Sequence, residues 1–385
     1  MGDPDWTALR AEFPLLDRCT YLNACSLGPL PRAGREALAR YAADWDREGT
    51  PVWYSTWLPL LGRLRDRLGQ LLGTPANSVA LAPSVSVALT TLASCIPRDA
   101  AAGRLKVLIG ELDFPTLGHQ WLSRGELDVE WVPSPDGISV PPAAFEERLG
   151  PGVAVMATTH LLYTTGYLQD VRALAELAHR AGAFLLVDGY QTVGCVPLQV
   201  QELDVDFYVG GCLKWLSGGP GTAFAYVRPD LIDKLEPRGT GWFASADPFS
   251  FSLQTLEFAP DARRFETGTW PVPSHYAALA ALELILDRVG VDAICRRLRG
   301  FTTRILDRCE EAGVRTLTPR EPEERCGVVA LECDRPEEVE AALLAQKIVV
   351  DSRPGRIRLS PHWCLTQEEV DQATDCVLTE IKKGR

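Results

Sequence analysis

The chain has 385 residues, of which 46% are apolar and 23% charged, and this composition is typical of a folded globular protein rather than a disordered or fibrous one. Such a length exceeds what one small hydrophobic core can organise, so we expect two lobes. The formal net charge of −12 argues against binding to nucleic acid or to an anionic membrane surface.

The sequence predicts neither a membrane segment nor an export signal. No apolar run approaches the roughly 20 residues that span a bilayer, and the first residues are acidic where a signal peptide would be basic and then apolar. The eleven cysteines form no C-x-x-C pair and no cluster with histidine, so we expect reduced thiols and no metal site. A cytoplasmic enzyme or binding protein is the resulting prediction.

Short apolar runs alternate with segments of helical period in the middle of the chain. The predicted strands are Lys106–Ile109, Val129–Val132, Val153–Ala157, Phe184–Val187, Phe207–Val209 and Ala223–Val227. Between two of them, Val171–Gly182 carries leucines at helical spacing and a glycine at the expected C-cap. This alternation predicts βαβ units, and therefore an α/β fold whose mostly parallel sheet is covered by helices on both faces.

The alternation of short apolar runs and helical segments ends near residue 261. The elements predicted beyond it are two long amphipathic helices, a strand, a helix, a strand and a final helix: Pro273–Val289, Val291–Ala312, Gly327–Glu332, Pro336–Gln346, Arg356–Leu359 and a helix from Thr366. We therefore predict a large domain over residues 31–260 and a smaller α+β domain over 261–385. The N-terminal residues 1–30 are turn-rich and are expected to cross between the two domains.

Two side chains give the main indication of the chemistry of this protein. Asp188 ends the predicted strand in FLLVDGYQTVG, at the edge where open α/β sheets bind ligands. Lys214 follows another strand 26 positions later, framed by glycines in GGCLKWLSGGPG. A desolvated lysine can form a Schiff base, and pyridoxal phosphate requires both such a lysine and an acid aimed at its pyridinium nitrogen. Either residue alone could be structural, but together they predict pyridoxal phosphate as the cofactor.

Further motifs make the chain resemble the class V aminotransferase family of fold-type-I pyridoxal-phosphate enzymes, which includes cysteine desulfurases and kynureninases. YLNACSLGPLP resembles the family's opening motif, PSVSVAL its phosphate-binding turn, DGYQ the desulfurases' D-G-A-Q, RRFETGT the family's R-F-E-x-G-T, and RPGRIRLSPHWCLT a kynureninase-like segment. The resemblance covers nearly the whole chain. It implies an amino-acid substrate and a homodimer with active sites at the interface.

The resemblance also implies roles around the cofactor ring. Lys214 would hold the cofactor covalently and move protons at the substrate's Cα, and Asp188 would keep the ring nitrogen protonated. Gln191 would hydrogen-bond the phenolic oxygen of the ring. Phe114 would stack on the ring face, although a core aromatic is the alternative interpretation of this residue.

Other matched residues are expected around the phosphate and the substrate. The phosphate residues are the Val85 amide, the Ser86 hydroxyl, Trp242, and Thr269, which would reach the neighbouring subunit's cofactor. The substrate residues are Arg358, Asn23 and Tyr163. Arg358 would clamp the substrate carboxylate through two parallel hydrogen bonds, although it could instead be an edge-strand charge facing water. Asn23 could equally have only a turn role.

Departures from the family patterns narrow the predicted reaction. The mobile nucleophilic cysteine of desulfurases is missing before the arginine motif, and Leu213 and Leu117 replace kynureninase residues. We therefore predict a lyase that removes a group from Cβ of an L-amino acid, with a cysteine S-conjugate as the favoured substrate. An aminotransferase, or a decarboxylating or oxidatively deaminating enzyme, is the alternative; kynureninase, desulfurase and an inactive binding scaffold are less favoured.

Overall fold

The computed structural model describes residues 4–96, 105–125 and 127–383, and these residues form helices and strands in both halves of the chain. The helices are α1 (Trp6–Arg10), α2 (Arg32–Glu48), α3 (Leu58–Leu72), α4 (Val85–Cys95), α5 (Pro115–Leu122), α6 (Pro142–Glu146), α7 (Val171–Arg180), α8 (Val272–Arg288), α9 (Val291–Glu311), α10 (Pro336–Ala345) and α11 (Gln367–Lys382). The strands are β1 (Thr20–Tyr21), β2 (Val79–Ala82), β3 (Lys106–Gly110), β4 (Asp128–Val132), β5 (Val153–Thr159), β6 (Phe184–Asp188), β7 (Phe207–Gly211), β8 (Ala223–Val227), β9 (Val329–Glu332), β10 (Ile348–Val349), β11 (Asp351–Arg353) and β12 (Arg356–Leu359).

A seven-stranded sheet in the order β2-β8-β7-β6-β5-β3-β4 forms the centre of the fold. All of its neighbouring pairs are parallel except those of β8, which is antiparallel to both β2 and β7. Strand β2 therefore runs in the same direction as β3 to β7. The predicted α/β fold with a mostly parallel sheet is confirmed.

Alternation along the strands buries both faces of this sheet. In β3, Leu108 packs into one core cluster while Val107 and Ile109 pack into the other. The first cluster also receives leucines of α3 and α7, and the second receives apolar residues of α4 and α5. Helices therefore cover the sheet on both sides, which explains why its strands read as continuous apolar runs.

A second sheet, antiparallel and in the order β11-β12-β9, lies in the C-terminal part of the chain. The N-terminal segment joins this part to the central sheet. Its strand β1 pairs in parallel with β10, and the Gly28 amide donates to the Leu213 carbonyl at 2.9 Å. A Cβ on Gly28 would lie 2.0 Å from the Lys214 carbonyl oxygen, so only glycine permits this approach. The domain limits at residues 30 and 261 stay predictions.

The sequence patterns predicted most of these elements to within one or two residues. Strands β8 and β12 have the predicted bounds, and Thr366 is the N-cap of α11, where its side chain and Glu369 form a capping box. The prediction gave no ranges for β1, β2, β10, β11, α1, α2, α3, α5 and α6. No helix among residues 4–96, 105–125 and 127–383 is long and apolar enough to cross a membrane.

Candidate active site

The candidate site forms where the parallel strands of the central sheet end. Because β2, β3, β5, β6 and β7 run in one direction, the residues that follow them meet at one edge. Phe114 follows β3, Asp188 ends β6, and Lys214 comes three residues after β7. Helix α4 begins just after β2, so its N-terminus lies at this same edge.

A cavity of about 260 Å³ opens at this edge. It is lined by residues from the sheet edge, the N-terminal segment and the β11–β12 hairpin: Cys25, Ser26, Phe114, Thr159, Tyr163, Asp188, Tyr190, Gln191, Leu213, Lys214, Arg353 and Arg358. The structure therefore brings together six of the predicted site residues, namely Lys214, Asp188, Gln191, Phe114, Tyr163 and Arg358. Val85, Ser86, Asn23, Trp242 and Thr269 do not line it.

The Lys214 amine lies inside this cavity without a counter-ion in contact. Its Nζ is 4.5 Å from the ring centre of Tyr190 and 5.8 Å from that of Phe114, and none of the described carboxylates forms an ion pair with it. Desolvation lowers the pKa of Lys214 to about 8, although the negative charge of Asp188 acts in the opposite direction. A fraction of the amine is therefore neutral, and nucleophilic, near neutral pH.

The Asp188 carboxyl group is buried and lines the same cavity. Its Oδ1 accepts a hydrogen bond from the Tyr190 amide at 2.9 Å, whereas Oδ2 has no hydrogen-bond partner among the described residues. Burial raises the pKa of Asp188, and the Tyr190 amide and the Lys214 charge partly oppose this rise. A cationic N–H placed against Oδ2 would relieve the desolvation of this carboxylate.

Gln191 and Phe114 are positioned by local contacts. The Gln191 amide nitrogen donates to the Cys25 carbonyl at 2.9 Å, and its oxygen accepts from the Trp215 indole at 3.3 Å. One N–H of that amide is left for a ligand. Phe114 is 41% exposed and meets Tyr163 edge to face, with ring centres 5.1 Å apart. Its exposed face suits a flat aromatic ring better than the core position considered from the sequence.

Arg358 is fully buried within a polar network at the substrate side of the cavity. Its Nη1 donates to the Tyr163 carbonyl at 2.6 Å, and its Nη2 donates to the Ser26 hydroxyl at 3.3 Å. The Asp351 carboxylate forms an ion pair with the same guanidinium. The alternative interpretation of Arg358, a charge facing water, is wrong. Arg356, which shares its strand, contacts the Thr164 carbonyl instead and does not line the cavity.

Helix α4 begins at the same edge of the central sheet as this cavity. Its N-cap, Ser84, accepts a hydrogen bond from the Val87 amide at 3.2 Å, while the amides of Val85 and Ser86 belong to the first turn, where N–H groups lack helical partners. Ser86 is exposed and Val85 is buried. The helix dipole and these amides favour a phosphate at this position.

Trp242 and Thr269 lie away from the cavity of their own chain. Trp242 is 40% exposed and contacts Phe251 in a separate hollow of about 540 Å³ formed by residues 240–256. Thr269 is also exposed. Asn23 donates its side-chain amide to the Val350 carbonyl at 3.2 Å and so faces the hairpin. The roles assigned to these three residues stay predictions.

Sequence reasoning assigned no role to Tyr190, Cys25 or Arg353, although all three line the cavity. Tyr190 stands inside DGYQ and Cys25 inside the opening motif, so motif membership was the available signal. Arg353 had no signal beyond its closeness to Arg358 in sequence. His160 does not line the cavity: its Nδ1 is buried 3.0 Å from the Tyr208 hydroxyl, and burial lowers the pKa of this histidine to about 4.

The residues at the sheet edge fit pyridoxal phosphate. The unpaired amine of Lys214, the free Oδ2 of Asp188, the exposed face of Phe114 and the α4 N-terminus could serve the aldehyde, the ring nitrogen, the ring face and the phosphate of that cofactor, and the free N–H of Gln191 its phenolic oxygen. Among the described residues, no group of three His, Cys, Asp or Glu side chains could hold a metal ion.

Comparisons with known proteins agree with this fit. The chain is 33% identical over 369 residues to the uncharacterized aminotransferase YcbU of Bacillus subtilis (strain 168), covering 95% of each chain. It is 29% identical over 368 residues to kynureninase of Burkholderia mallei (strain SAVP1), covering 92% of this chain and 87% of that protein.

Solved structures share the fold. The apo cysteine desulfurase from Thermococcus onnurineus NA1 matches with a TM-score of 0.87 at 20% identity, covering 98% of both chains. The cystine C-S lyase C-DES in complex with cysteine persulfide matches with a TM-score of 0.86 at 20% identity, covering 95% of this chain and 99% of the other. The model of the class-V aminotransferase family matches residues 60–368. This protein therefore belongs to the class-V aminotransferase family, and its cofactor is pyridoxal phosphate.

Proposed function

We propose that this protein is a lyase that removes the sulfur substituent from Cβ of an L-cysteine S-conjugate. The overall reaction consumes one water molecule and releases a thiol, pyruvate and ammonium. The cofactor, when bound, accepts the electron pair left at Cα of an amino acid. The protein's part is to bind the substrate in one orientation and to move the protons.

The observation that carries this proposal is the composition of the cavity wall. It combines the Lys214 amine and the Arg358 guanidinium with Tyr163 and Leu213, whose apolar atoms offer a surface for a thioether substituent. Cys25 is its one cysteine among the described residues, and this side chain is 1% exposed on a segment held by hydrogen bonds to Gln191 and Ser360. A cysteine so fixed is unsuited to carry sulfur away as a mobile persulfide.

Each polar residue of the site would have a defined task. Arg358 would bind the substrate carboxylate, because its planar guanidinium can donate two parallel hydrogen bonds. Lys214, with a pKa of about 8, would take the Cα proton and return a proton during product release. Asp188 would hold a proton on the cofactor nitrogen, and Gln191 would orient the ring through its free N–H.

An aminotransferase is the second candidate, and the relation to YcbU favours it. Both reactions begin with loss of the Cα proton, so the same Lys214 and Arg358 would serve either. They differ in whether the bond from Cβ to its substituent then breaks. Leu213 and Leu117 stand where the kynureninase motifs have other residues, which disfavours kynureninase itself.

The products distinguish these candidates. The purified holoenzyme would be incubated with S-phenyl-L-cysteine, and the products would be identified by mass. We expect thiophenol, pyruvate and ammonium in equal amounts without added keto acid. Lys214→Ala should abolish turnover, whereas Lys234→Ala, which removes an exposed lysine paired with Asp230, should not change it. Intact S-phenyl-L-cysteine together with keto-acid-dependent amino transfer would support an aminotransferase and refute the lyase.

We also propose that the enzyme works in the cytoplasm as a homodimer with active sites at the subunit interface. Trp242 and Thr269 are exposed and lie outside the cavity of their own chain, which supports contact with a second copy. Phe251 and Leu253 of the same loop are 69% and 99% exposed, and such apolar exposure is costly in a monomer. Sedimentation of Leu253→Asp should show a shift toward monomer if this loop is in the interface.

A further inference from the structure

Two arginines and one carboxylate form a cluster at the substrate side of the cavity. Asp351 is buried on β11 and lies between Arg358 and Arg353, both of which line the cavity. Its Oδ2 accepts from Arg358, and its Oδ1 is 2.9 Å from Nη1 of Arg353. The Ser26 hydroxyl also donates to Oδ1 at 3.4 Å.

The hydrogen bonds of Arg358 show which of its edges is open to a ligand. Asp351 occupies the edge formed by Nε and Nη2. Nη1 donates one hydrogen to the Tyr163 carbonyl, and Nη2 donates, at 3.3 Å, to the Ser26 hydroxyl. Each of these nitrogens carries two hydrogens, so a substrate carboxylate can bind the edge formed by Nη1 and Nη2 by displacing the long Ser26 contact while Asp351 stays in place.

The charges of the cluster balance a single carboxylate. Arg353 and Arg358 contribute two positive charges and Asp351 one negative charge, which leaves one positive charge for the ligand. Arg353 is itself satisfied by Asp351 and, at 2.6 Å, by the Ser352 carbonyl. Lys214, the third cationic side chain among the residues that line the cavity, would be joined to the cofactor, so a second anionic group on the ligand would find no further cation there. An unpaired charge in such a site is costly.

We propose that Asp351 is a specificity-determining residue that restricts the site to amino acids with one carboxylate and an uncharged side chain. The proposal rests on the proposed role of Arg358 as the carboxylate clamp. It extends that role by naming the substrate class: S-conjugates with neutral substituents are accepted, and dicarboxylic amino acids are rejected. Asp351 acts through charge, in addition to any effect on the position of Arg358.

The test compares two small acids that differ by one carboxylate, propionate and succinate. Their dissociation constants for the holoenzyme would be measured by calorimetry at pH 7.5. We expect the parent protein to bind propionate more tightly. Asp351→Asn should raise the affinity for succinate relative to propionate by about tenfold or more, because a neighbouring unit charge in a partly buried site has an effect of that size.

A second variant changes the net charge of the cluster in the opposite direction, at the more exposed Arg353. Arg353→Gln removes a positive charge from a side chain that is 39% exposed, and it should lower the relative affinity for succinate. The matched control is Arg315→Gln. Arg315 pairs with Glu332 at 3.2 Å and is 65% exposed, outside the cavity, so both affinities should stay within about twofold because exposed charges are screened.

The possible results of these binding measurements distinguish a charge effect of Asp351 from a purely positional one. Opposite changes of the succinate-to-propionate ratio in the two variants support the charge balance. Equal weakening of both acids in Asp351→Asn would mean that Asp351 only positions Arg358, and it would overturn the proposal. Failure of the parent protein to bind either acid, or tighter binding of succinate, would overturn it as well. None of these results depends on the lyase reaction, which the product analysis tests by itself.

Discussion

The lowered pKa of Lys214 predicts how fast the cofactor-free protein takes up its cofactor at each pH. Only the neutral amine attacks an aldehyde. With a pKa of about 8 in the folded protein, about one quarter of the amine is neutral at pH 7.5, compared with about one part in a thousand for an ordinary lysine. The structure therefore provides a gain of roughly two hundredfold in reactive amine at this pH.

The assay follows covalent attachment of pyridoxal phosphate to the cofactor-free protein between pH 6 and 10. We expect the rate to rise about tenfold per pH unit up to pH 8 and then to level off. Borohydride reduction and mass analysis would locate the adduct on Lys214. Asp188→Asn removes a negative charge that raises the pKa of this amine, so it should move the inflection to lower pH.

Two results would refute this reasoning. A rate that still rises tenfold between pH 9 and pH 10 would show that the amine has the pKa of an ordinary exposed lysine. An inflection that moves to higher pH in Asp188→Asn would show that the carboxylate does not act on Lys214 through its charge. Lys234→Ala is the control, since Lys234 is exposed and paired with Asp230, and its profile should match that of the parent protein.

Three further predictions concern substrate binding and stability. Arg358→Lys should lower kcat/KM about tenfold to a hundredfold, mainly through KM, because lysine cannot form the two parallel hydrogen bonds; an unchanged KM would contradict the clamp. Glu266 is buried and accepts three hydrogen bonds from Arg65, at 2.7, 2.8 and 3.0 Å, so Glu266→Gln should lower the free energy of unfolding in urea by about 3 kcal/mol. Arg63→Gln, at an exposed ion pair with Glu283, should change that free energy by less than about 1 kcal/mol. Burial lowers the pKa of His362 to about 3. Because the unfolded state then binds more protons than the folded state between pH 3 and 6.5, the free energy of unfolding should fall as the pH drops through that window. His362→Asn should make this fall less steep, as measured by urea titrations at a series of pH values.

Local patterns were sufficient for the framework of the fold and for the two ends of the cofactor site. Strands β5, β6 and β7 are buried on both faces, so each is a continuous apolar run that the sequence displays directly. Asp188 and Lys214 come at or just after the ends of such strands, and strand direction alone places both at one edge. Family motifs added Gln191, Phe114 and Arg358, which the structure brings to the same cavity.

The surroundings of the substrate depended on tertiary structure. Cys25, Tyr163 and Arg353 reach the cavity from an N-terminal segment, a loop and a hairpin that are far apart in the chain, and of these three only Tyr163 was assigned to the site from the sequence. No periodicity indicates where such segments pack, because their positions are set by long-range contacts such as the pairing of β1 with β10. The net charge of the proposed carboxylate site likewise depends on tertiary structure, because folding places Asp351 between Arg353 and Arg358. The sequence by itself determined the cofactor chemistry through residues on strand ends, and folding decided the substrate pocket because its walls come from three separate parts of the chain.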